Sequence, residues 1–296
     1  MTSRRRNIVL VADDFAISDG VCDGIERLAR GRRLSGTSAI VTLPRWTEDG
    51  RRLAALRPFI SIGLHINLTL GTPLGAMLSI APTGVLPSLK SLVAAAMLRR
   101  IDRNELAAEI ERQLDRFEAG TGRAPDHIDG HQHVHALPVV RDALTEVLQR
   151  RYEGRTLRPM VRNPVERLGS PSRAAGTQAK AAVLGGLAAG FGRCIIGAGF
   201  PVNDSFAGVT SFRDSEDDVH RDLTAAAHAK GTLHLVMCHP GVPTPELAAL
   251  DRITERRAAE LAVLGGDHAL TGGLWLPQRE AEEPIVDWRR VREEMA

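Results

Sequence analysis

Short apolar runs alternate with amphipathic stretches along most of this chain. Apolar runs bounded by polar residues are typical of buried strands, whereas apolar residues three or four positions apart indicate a helix. The predicted strands are Ile8–Ala12, Ser38–Leu43, Phe59–Leu68, His127–Asp129, Leu157–Arg162 and Leu233–Met237. The repeated strand–helix order is typical of an α/β fold built on mostly parallel strands.

Helical spacing is clearest over Asn104–Glu118, where one apolar stripe has a charged back. Ser18 is placed to cap another helix after the first strand. The remaining predicted helices are Arg51–Leu56, Ser91–Arg100, Val139–Arg151, Gln178–Gly190, Leu223–Lys230 and Arg252–Leu264. Prolines and glycines over 71–100 predict an irregular excursion, and the charged tail from about residue 284 is expected at the surface. We expect one domain over residues 1–296.

The composition is that of a soluble globular protein. Of 296 residues, 43% are hydrophobic and 25% are charged, and the formal net charge is only +2. That balance carries no nucleic-acid footprint. Three distant cysteines indicate reduced thiols, and neither a signal peptide nor a transmembrane segment is predicted. We therefore expect a cytoplasmic protein, and the oligomeric state stays open, a homodimer included.

Two carboxylates, Asp13 and Asp14, come directly after the first predicted strand. Active sites of parallel α/β folds form at the carboxyl ends of the strands. Adjacent residues on an extended backbone point to opposite sides, so the two carboxylates can take different roles. Taken alone, the pair fits equally well a solvated loop that caps the next helix.

Other polar residues also end predicted strands. His65 and Asn67 end the third strand, and their spacing places both side chains on one face. His65 alone is explained as readily by a half-buried, hydrogen-bonded histidine. His239 follows the last strand, where a catalytic group is expected, and its neighbour Cys238 fits a small core residue.

The segment Asp129–His135 is the most informative stretch of the chain. Its histidines 131, 133 and 135 alternate, so an extended backbone would place all three on one face. Imidazole is the commonest metal ligand in proteins, and Asp129 could orient a ligand histidine through a hydrogen bond. A polar loop that is rich in histidine is the alternative, and the three histidines need not all bind one metal.

Four segments together resemble the YdjC-like carbohydrate deacetylase family, which includes chitooligosaccharide and hopanoid-associated deacetylases. They are Val11–Phe15, Gly63–Asn67, Asp129–His135 and Met237–Pro240, and order and spacing agree from about residue 7 to about residue 265. The resemblance implies a deformed (β/α) TIM-like barrel. It also implies one divalent metal ion, magnesium or zinc, and hydrolysis of an N-acetyl group on an amino sugar.

The same resemblance implies roles for single residues. Asp14, His65 and His131 match the metal ligands, Asp13 matches the general base, and His239 matches the general acid. The substrate-binding or ligand-supporting residues would then include Asn67, Asp129, His133, His135, Arg162 and Asp204. Arg162 suits a clamp for substrate or for a carboxylate.

One position departs from the family pattern. Ala16 stands where the family usually has the glycine of Asp-Asp-Phe-Gly. If the turn requires a positive φ, alanine costs about 1 kcal/mol there.

Several functions stay open at this point. The substrate of a deacetylase could be an oligosaccharide or a glycolipid, with segment 71–100 as a lid over a lipid-linked sugar. The alternatives are a sugar-binding or regulatory protein with a degenerate site, a metallo-phosphoesterase, and a non-haem iron oxygenase, which also uses two histidines and one carboxylate. The alternation of strands and helices argues against the oxygenase, and the lack of a glycine-rich phosphate loop argues against the phosphoesterase.

Overall fold

The computed structural model describes residues 7–165, 185–228, 231–280 and 283–296. Within these ranges the strands are β1 (Ile8–Phe15), β2 (Gly36–Ala39), β3 (Ser61–Ile66), β4 (His127–Gly130), β5 (Met160–Val161), β6 (Ser205–Ala207) and β7 (His234–Cys238). All pair in parallel, in the order β5-β4-β3-β2-β1-β7-β6.

Helices surround this sheet. They are α1 (Asp19–Arg30), α2 (Trp46–Ala54), α3 (Leu89–Met97), α4 (Arg103–Thr121), α5 (Val140–Arg151), α6 (Phe191–Gly197), α7 (Glu216–Ala226), α8 (Pro245–Leu250), α9 (Thr254–Gly265) and α10 (Trp288–Met295). Short 3₁₀ turns cover His131–Ala136 and Thr271–Gly273. Among the described residues, no helix is both long and apolar enough to cross a lipid bilayer.

Within the described ranges, the outer strands β5 and β6 of the curled sheet approach each other without a ladder of strand pairs. Val161 of β5 donates its backbone N–H to the carbonyl oxygen of Pro201 at 2.9 Å. Two residues further on, the Asn163 backbone N–H donates to Asn203 Oδ1 at 2.7 Å. The segment that leads into β6 therefore completes the ring, and the predicted α/β fold, a deformed TIM-like barrel, is confirmed.

The core follows the apolar pattern of the sequence. Every residue of β1 is buried, as expected for a central strand with a neighbour on each side. The predicted α4 stripe is fully buried at Leu106, Ile110, Leu114 and Phe117. Helix α1 begins as predicted, because Ser18 Oγ accepts the backbone N–H of Val21 at 3.3 Å.

Several elements differ from their predicted bounds; among them, β3 and β5 are shorter than predicted and α2 begins earlier. The second strand is Gly36–Ala39 rather than Ser38–Leu43, and its pairing with β1 shifts register between Ala12 and Phe15. Helix α7 begins at Glu216, where Ser215 caps it, and not at Leu223. Residues 229–230 and most of the predicted helix Gln178–Gly190 lie outside the described residues.

The charged C-terminal tail contributes buried side chains as well as surface. Helix α10 buries Trp288, Val291 and Met295 against the barrel. Trp288 Nε1 donates to the carbonyl oxygen of Asp126 at 2.6 Å. The tail therefore packs on the amino-terminal side of the sheet, because Asp126 directly precedes β4.

Asp126 connects three parts of the chain at this end of the barrel. Its buried carboxylate accepts the backbone N–H of Ile62 at 2.8 Å and that of Val286 at 2.9 Å. Arg279 donates to both carboxylate oxygens, at 2.9 and 2.5 Å. Burial opposes ionisation, but the Arg279 guanidinium outweighs it and holds the pKa of Asp126 below its usual value.

Replacing Asp126 with asparagine should destabilise the fold by about 3 kcal/mol, because it leaves the Arg279 side chain, which is only 5% exposed, without its charged partner. Chemical denaturation at pH 7 measures the loss. Asp267→Asn is the matched control, since its ion pair with Arg33 has a 90% exposed carboxylate and should contribute less than about 1 kcal/mol. Equal effects of the two substitutions would contradict the role of Asp126.

Because the folded-state pKa of Asp126 is lowered, the stabilisation that its ionised carboxylate gives is complete above the unfolded-state pKa of about 4 and is lost as the pH falls.

Candidate active site

The carboxyl ends of four strands open into one cavity of about 600 Å³. Strand β1 contributes Asp13 and Asp14, and β3 contributes His65. His131 directly follows β4, and His239 directly follows β7. Because β4, β3, β2, β1 and β7 are successive neighbours in the sheet, these side chains meet at one edge, as the sequence predicted.

Asp14, His65 and His131 form a compact group of ligand atoms. One atom from each lies within 4.8 Å of the other two. Asp14 Oδ1 is 2.9 Å from His131 Nδ1 and 3.3 Å from His65 Nε2. Two imidazoles and one carboxylate are a donor set that binds zinc and similar divalent ions, so these residues fit the implied cation.

The charges of this group are balanced by the protein itself. Burial raises the pKa of Asp14, but Arg257 and His131 outweigh it and hold that pKa well below its usual value. Burial also opposes charge on His65, yet Asp129 and Asp13 raise the pKa of His65 to about 10. In the absence of a metal, His65 is therefore protonated on both ring nitrogens. A cation would displace one of these protons on binding.

Asp129 and Arg162 support the site from behind. His65 Nδ1 donates to Asp129 Oδ1 at 2.6 Å, which leaves Nε2 of His65 directed towards Asp14. Arg162 Nη2 is 2.5 Å from Asp129 Oδ2, and the same guanidinium donates to both oxygens of Asp13 at 2.7 and 2.6 Å. Arg162 is fully buried, and in this structure its guanidinium contacts the carboxylates of Asp13 and Asp129.

His239 is held in the cavity wall by its backbone and its ring. The backbone N–H of His239 donates to Glu260 Oε2 at 2.5 Å. Its ring packs edge-on against Phe212, with the ring centroids 5.5 Å apart. Burial lowers the pKa of His239, although Asp14 and Asp13 oppose the shift. The imidazole is therefore mainly neutral at pH 7 in the free protein.

The backbone at Asp14 is not extended as the sequence pattern suggested. Asp14 has φ 69° and Ala16 has φ 71°, both in the left-handed region. The turn brings Asp13 and Asp14 into the wall of the same cavity, instead of directing them to opposite sides of a strand. Strain at such a position is expected where a functional side chain must be placed against local preference.

The prediction that three alternating histidines share one strand face is wrong. Residues His131–Ala136 form a 3₁₀ turn in which Gln132 and His133 have φ 53° and 61°. His133 lines the cavity beside His131, and its ring packs edge-on against Phe206. His135 is buried outside the cavity, where its Nε2 donates to the carbonyl oxygen of Arg162 at 2.8 Å.

Two further candidates lie away from the cavity lining. The Asn67 side chain accepts the N–H groups of Thr69 and Leu70, so it stabilises the turn after β3. Asp204 precedes β6 at the opposite edge of the sheet, where Oδ2 accepts the backbone N–H groups of Thr232 and Leu233. Neither side chain is among those that line the cavity.

Sequence reasoning missed Arg257 and Asp251, which also line the cavity. Arg257 Nη2 is 2.5 Å from Asp14 Oδ2, and its Nε is 2.6 Å from Asp251 Oδ2. A signal was present, because Arg257 lies four and seven residues before Leu261 and Leu264 on the buried stripe of α9. An arginine on an apolar stripe requires a buried partner.

Comparison with known proteins identifies the family of this chain. The family model described as YdjC-like protein matches residues 7–271, so the chain belongs to the YdjC-like family. Chitooligosaccharide deacetylases of Yersinia pestis, strains Pestoides F and bv. Antiqua Angola, are 38% and 39% identical to it over 134 and 137 residues. Each match covers 45% of this chain and 52% of the relative, so the chain spans about half the length of these curated relatives.

A solved structure from Enterococcus faecalis V583 shares the fold. That protein is provisionally described as acting in cellobiose-phosphate cleavage. It superposes with a TM-score of 0.66 at 21% identity, over 91% of this chain and 96% of its own. The barrel is therefore shared by both proteins.

Replacing Ala16 with glycine should stabilise the protein by about 0.5–1 kcal/mol, because glycine adopts a positive φ without steric cost. Ala29→Gly is the matched control, since Ala29 is equally buried but lies within α1, where glycine should lower stability. Chemical denaturation of both variants measures whether the free energy of unfolding rises for Ala16→Gly and falls for Ala29→Gly. Destabilisation by Ala16→Gly would show that the turn is not strained at this residue.

Proposed function

We propose that this protein is a metal-dependent carbohydrate deacetylase that hydrolyses the N-acetyl group of an amino sugar. The observation that carries the proposal is the meeting of Asp14, His65 and His131 at one cavity, with Asp13 and His239 beside them. The family and the activity in the names of the Yersinia relatives support the same reaction.

The chain supplies the proton transfers that amide hydrolysis requires. A divalent cation held by Asp14, His65 and His131 would polarise the acetyl carbonyl and make water more acidic. Asp13 takes a proton from the attacking water, whose oxygen bonds to the acetyl carbon. His239 gives a proton to the sugar nitrogen as the carbon–nitrogen bond breaks, so the products are acetate and a free amine. This role requires protonated His239, whose pKa is lowered by burial, so activity should fall as the pH rises from the acid side towards neutrality.

Arg162 and Asp129 keep these groups in position. The two hydrogen bonds from Arg162 to Asp13 fix the plane of that carboxylate. Asp129 fixes the ring of His65 through its 2.6 Å hydrogen bond. A base and a ligand are thus held by one buried guanidinium, which contacts the carboxylates of Asp13 and Asp129.

Removing a ligand and removing the acid should have different effects. We expect His131→Ala to weaken metal binding and to lower acetate release from N-acetylated sugars by more than roughly 100-fold. His239→Asn should lower turnover by about 100-fold while metal binding is retained. Calorimetric metal titration and an acetate assay, with and without chelator, measure the two quantities.

His220→Ala, at an exposed histidine of α7, is the control and should change neither quantity. Acetate release that survives the chelator, or metal binding by His131→Ala at wild-type strength, would contradict the ligand set. Tight sugar binding without any acetate release would favour the alternative of a sugar-binding protein.

The cavity wall indicates which kind of N-acetyl sugar fits. Among the described residues, and apart from those already named, its lining is mainly apolar. The apolar lining residues are Leu89, Val93, Leu137, Leu187, Val209, Phe212, Met237 and Ile253. Sugar hydroxyl groups need hydrogen-bond partners when they leave water, and such a wall offers few. A chain of several sugar rings is therefore a poor match for this cavity.

Helix α3 of the irregular excursion extends the apolar wall outward. Leu89 and Val93 line the cavity, and Met97, at the same four-residue spacing, is 59% exposed. The stripe runs about 12 Å along the helix. We infer that the amino sugar carries an apolar group that lies along this stripe, which makes a glycolipid the preferred substrate.

An alkyl N-acetylglucosaminide should therefore be deacetylated with higher kcat/KM than an N-acetylated chitooligosaccharide. Val93→Ser should lower kcat/KM for the alkyl substrate by about fivefold, because part of the apolar contact is lost, and should leave the oligosaccharide nearly unaffected. Ala94→Ser, at the next and exposed position, is the control. Equal effects of Val93→Ser on both substrates, or a preference for the oligosaccharide, would contradict the glycolipid assignment.

A further inference from the structure

Arg257 is fixed between two carboxylates in the wall of the cavity. It lies in the first turn of α9 and is only 1% exposed. Its Nη2 donates to Asp14 Oδ2 at 2.5 Å and its Nε donates to Asp251 Oδ2 at 2.6 Å. The carbonyl oxygen of Arg257 also accepts the N–H of Gly241, which ties the helix to the loop that follows β7. The guanidinium therefore has little freedom to move.

The two oxygens of Asp14 have different partners. Oδ1 lies 2.9 Å from His131 Nδ1 and 3.3 Å from His65 Nε2, within the ligand group. Oδ2 contacts Arg257. A carboxylate can bind a cation through one oxygen or through both, and the guanidinium occupies the second oxygen here.

We propose that Arg257 is a positioning residue that restricts Asp14 to one metal-binding oxygen. This inference rests on the proposed function, because it concerns the cation that Asp14, His65 and His131 would hold. By keeping Oδ2 from the cation, Arg257 leaves a coordination position for water and the acetyl oxygen. It also places a positive charge beside the ligand, so it lowers the affinity for the cation.

This role differs from simple charge balance in a measurable way. If Arg257 only stabilised the fold, its loss would disorder Asp14 and weaken both metal binding and turnover. If it restricts Asp14, its loss frees Oδ2 and removes a positive charge, so the cation binds more tightly while turnover falls. The two quantities then change in opposite directions.

The test is Zn²⁺ titration by calorimetry into metal-free protein, combined with acetate release. For Arg257→Met we expect the Kd for Zn²⁺ to fall by roughly tenfold or more, since a nearby positive charge is lost. We expect kcat to fall by at least about tenfold in the same variant. Arg257→Lys retains the charge and should keep the Kd within a few-fold of the wild type.

Arg256→Met is the matched control, because Arg256 is equally buried but pairs with Glu260 and Asp222, and does not line the cavity. It should leave the Kd for Zn²⁺ unchanged. If Arg257→Met does not fold, Asp251→Asn tests the same arrangement, and the expected change in Zn²⁺ affinity is in the opposite direction. It removes the charge that offsets Arg257, so Zn²⁺ should bind more weakly.

Unchanged or weaker Zn²⁺ binding by folded Arg257→Met would overturn the inference, as would unchanged or tighter binding by Asp251→Asn. Failure of the proposed function is distinguishable, because then the wild-type protein itself would not bind Zn²⁺ at this site. Wild-type binding without the expected tightening leaves the metal site in place and removes only the role of Arg257.

Discussion

Two buried guanidinium groups pair with the carboxylates at the strand ends, and they hold the pKa values of Asp14 and Asp129 below the usual range. Arg162 lies between Asp13 and Asp129, and Arg257 lies between Asp14 and Asp251. An ionised carboxylate without such a partner would cost several kcal/mol to bury and would tend to take up a proton. Cation binding and proton abstraction both require the ionised form. The chemistry proposed for the site therefore depends on these two arginines.

The barrel makes this arrangement possible. Parallel strands place their carboxyl ends at one edge, so residues from β1, β3 and β4 meet although they are far apart in sequence. The same order brings the end of β5 near the site, and Arg162, which follows it, can reach Asp13 and Asp129. At the other edge, Asp126 joins the tail to the barrel, so the two ends of the strands carry separate tasks.

The sequence was sufficient to predict the fold class and the meeting of strand-end side chains, whereas only the resemblance to the family singled out Asp14, His65 and His131 as a set. Each ends or follows a recognisable strand, and strand ends share an edge in any parallel sheet. It was not sufficient to predict that Arg257 pairs with Asp14, because that contact depends on how α9 packs against the barrel. Contacts between a helix and a strand end are set by tertiary packing, which leaves no fixed spacing in the chain.

Local backbone conformation was the other feature that the pattern could not give. Gln132 and His133 adopt positive φ without being glycine, so the alternating histidines look like a strand but form a turn. At Ala16 the departure from the family glycine did indicate the positive φ that the structure has. A conformation that the side chain disfavours is therefore visible in sequence only where a relative carries the favoured residue.

The central claim is that one divalent cation binds between Asp14, His65 and His131. A crystal structure of the protein soaked with Mn²⁺, with anomalous scattering measured, tests it most directly. The account predicts one strong anomalous peak within about 2.0–2.3 Å of a carboxylate oxygen of Asp14 and of a ring nitrogen of each histidine. Saturating Mn²⁺ with no peak there, or with a peak that lacks any one of the three residues as a ligand, would contradict it.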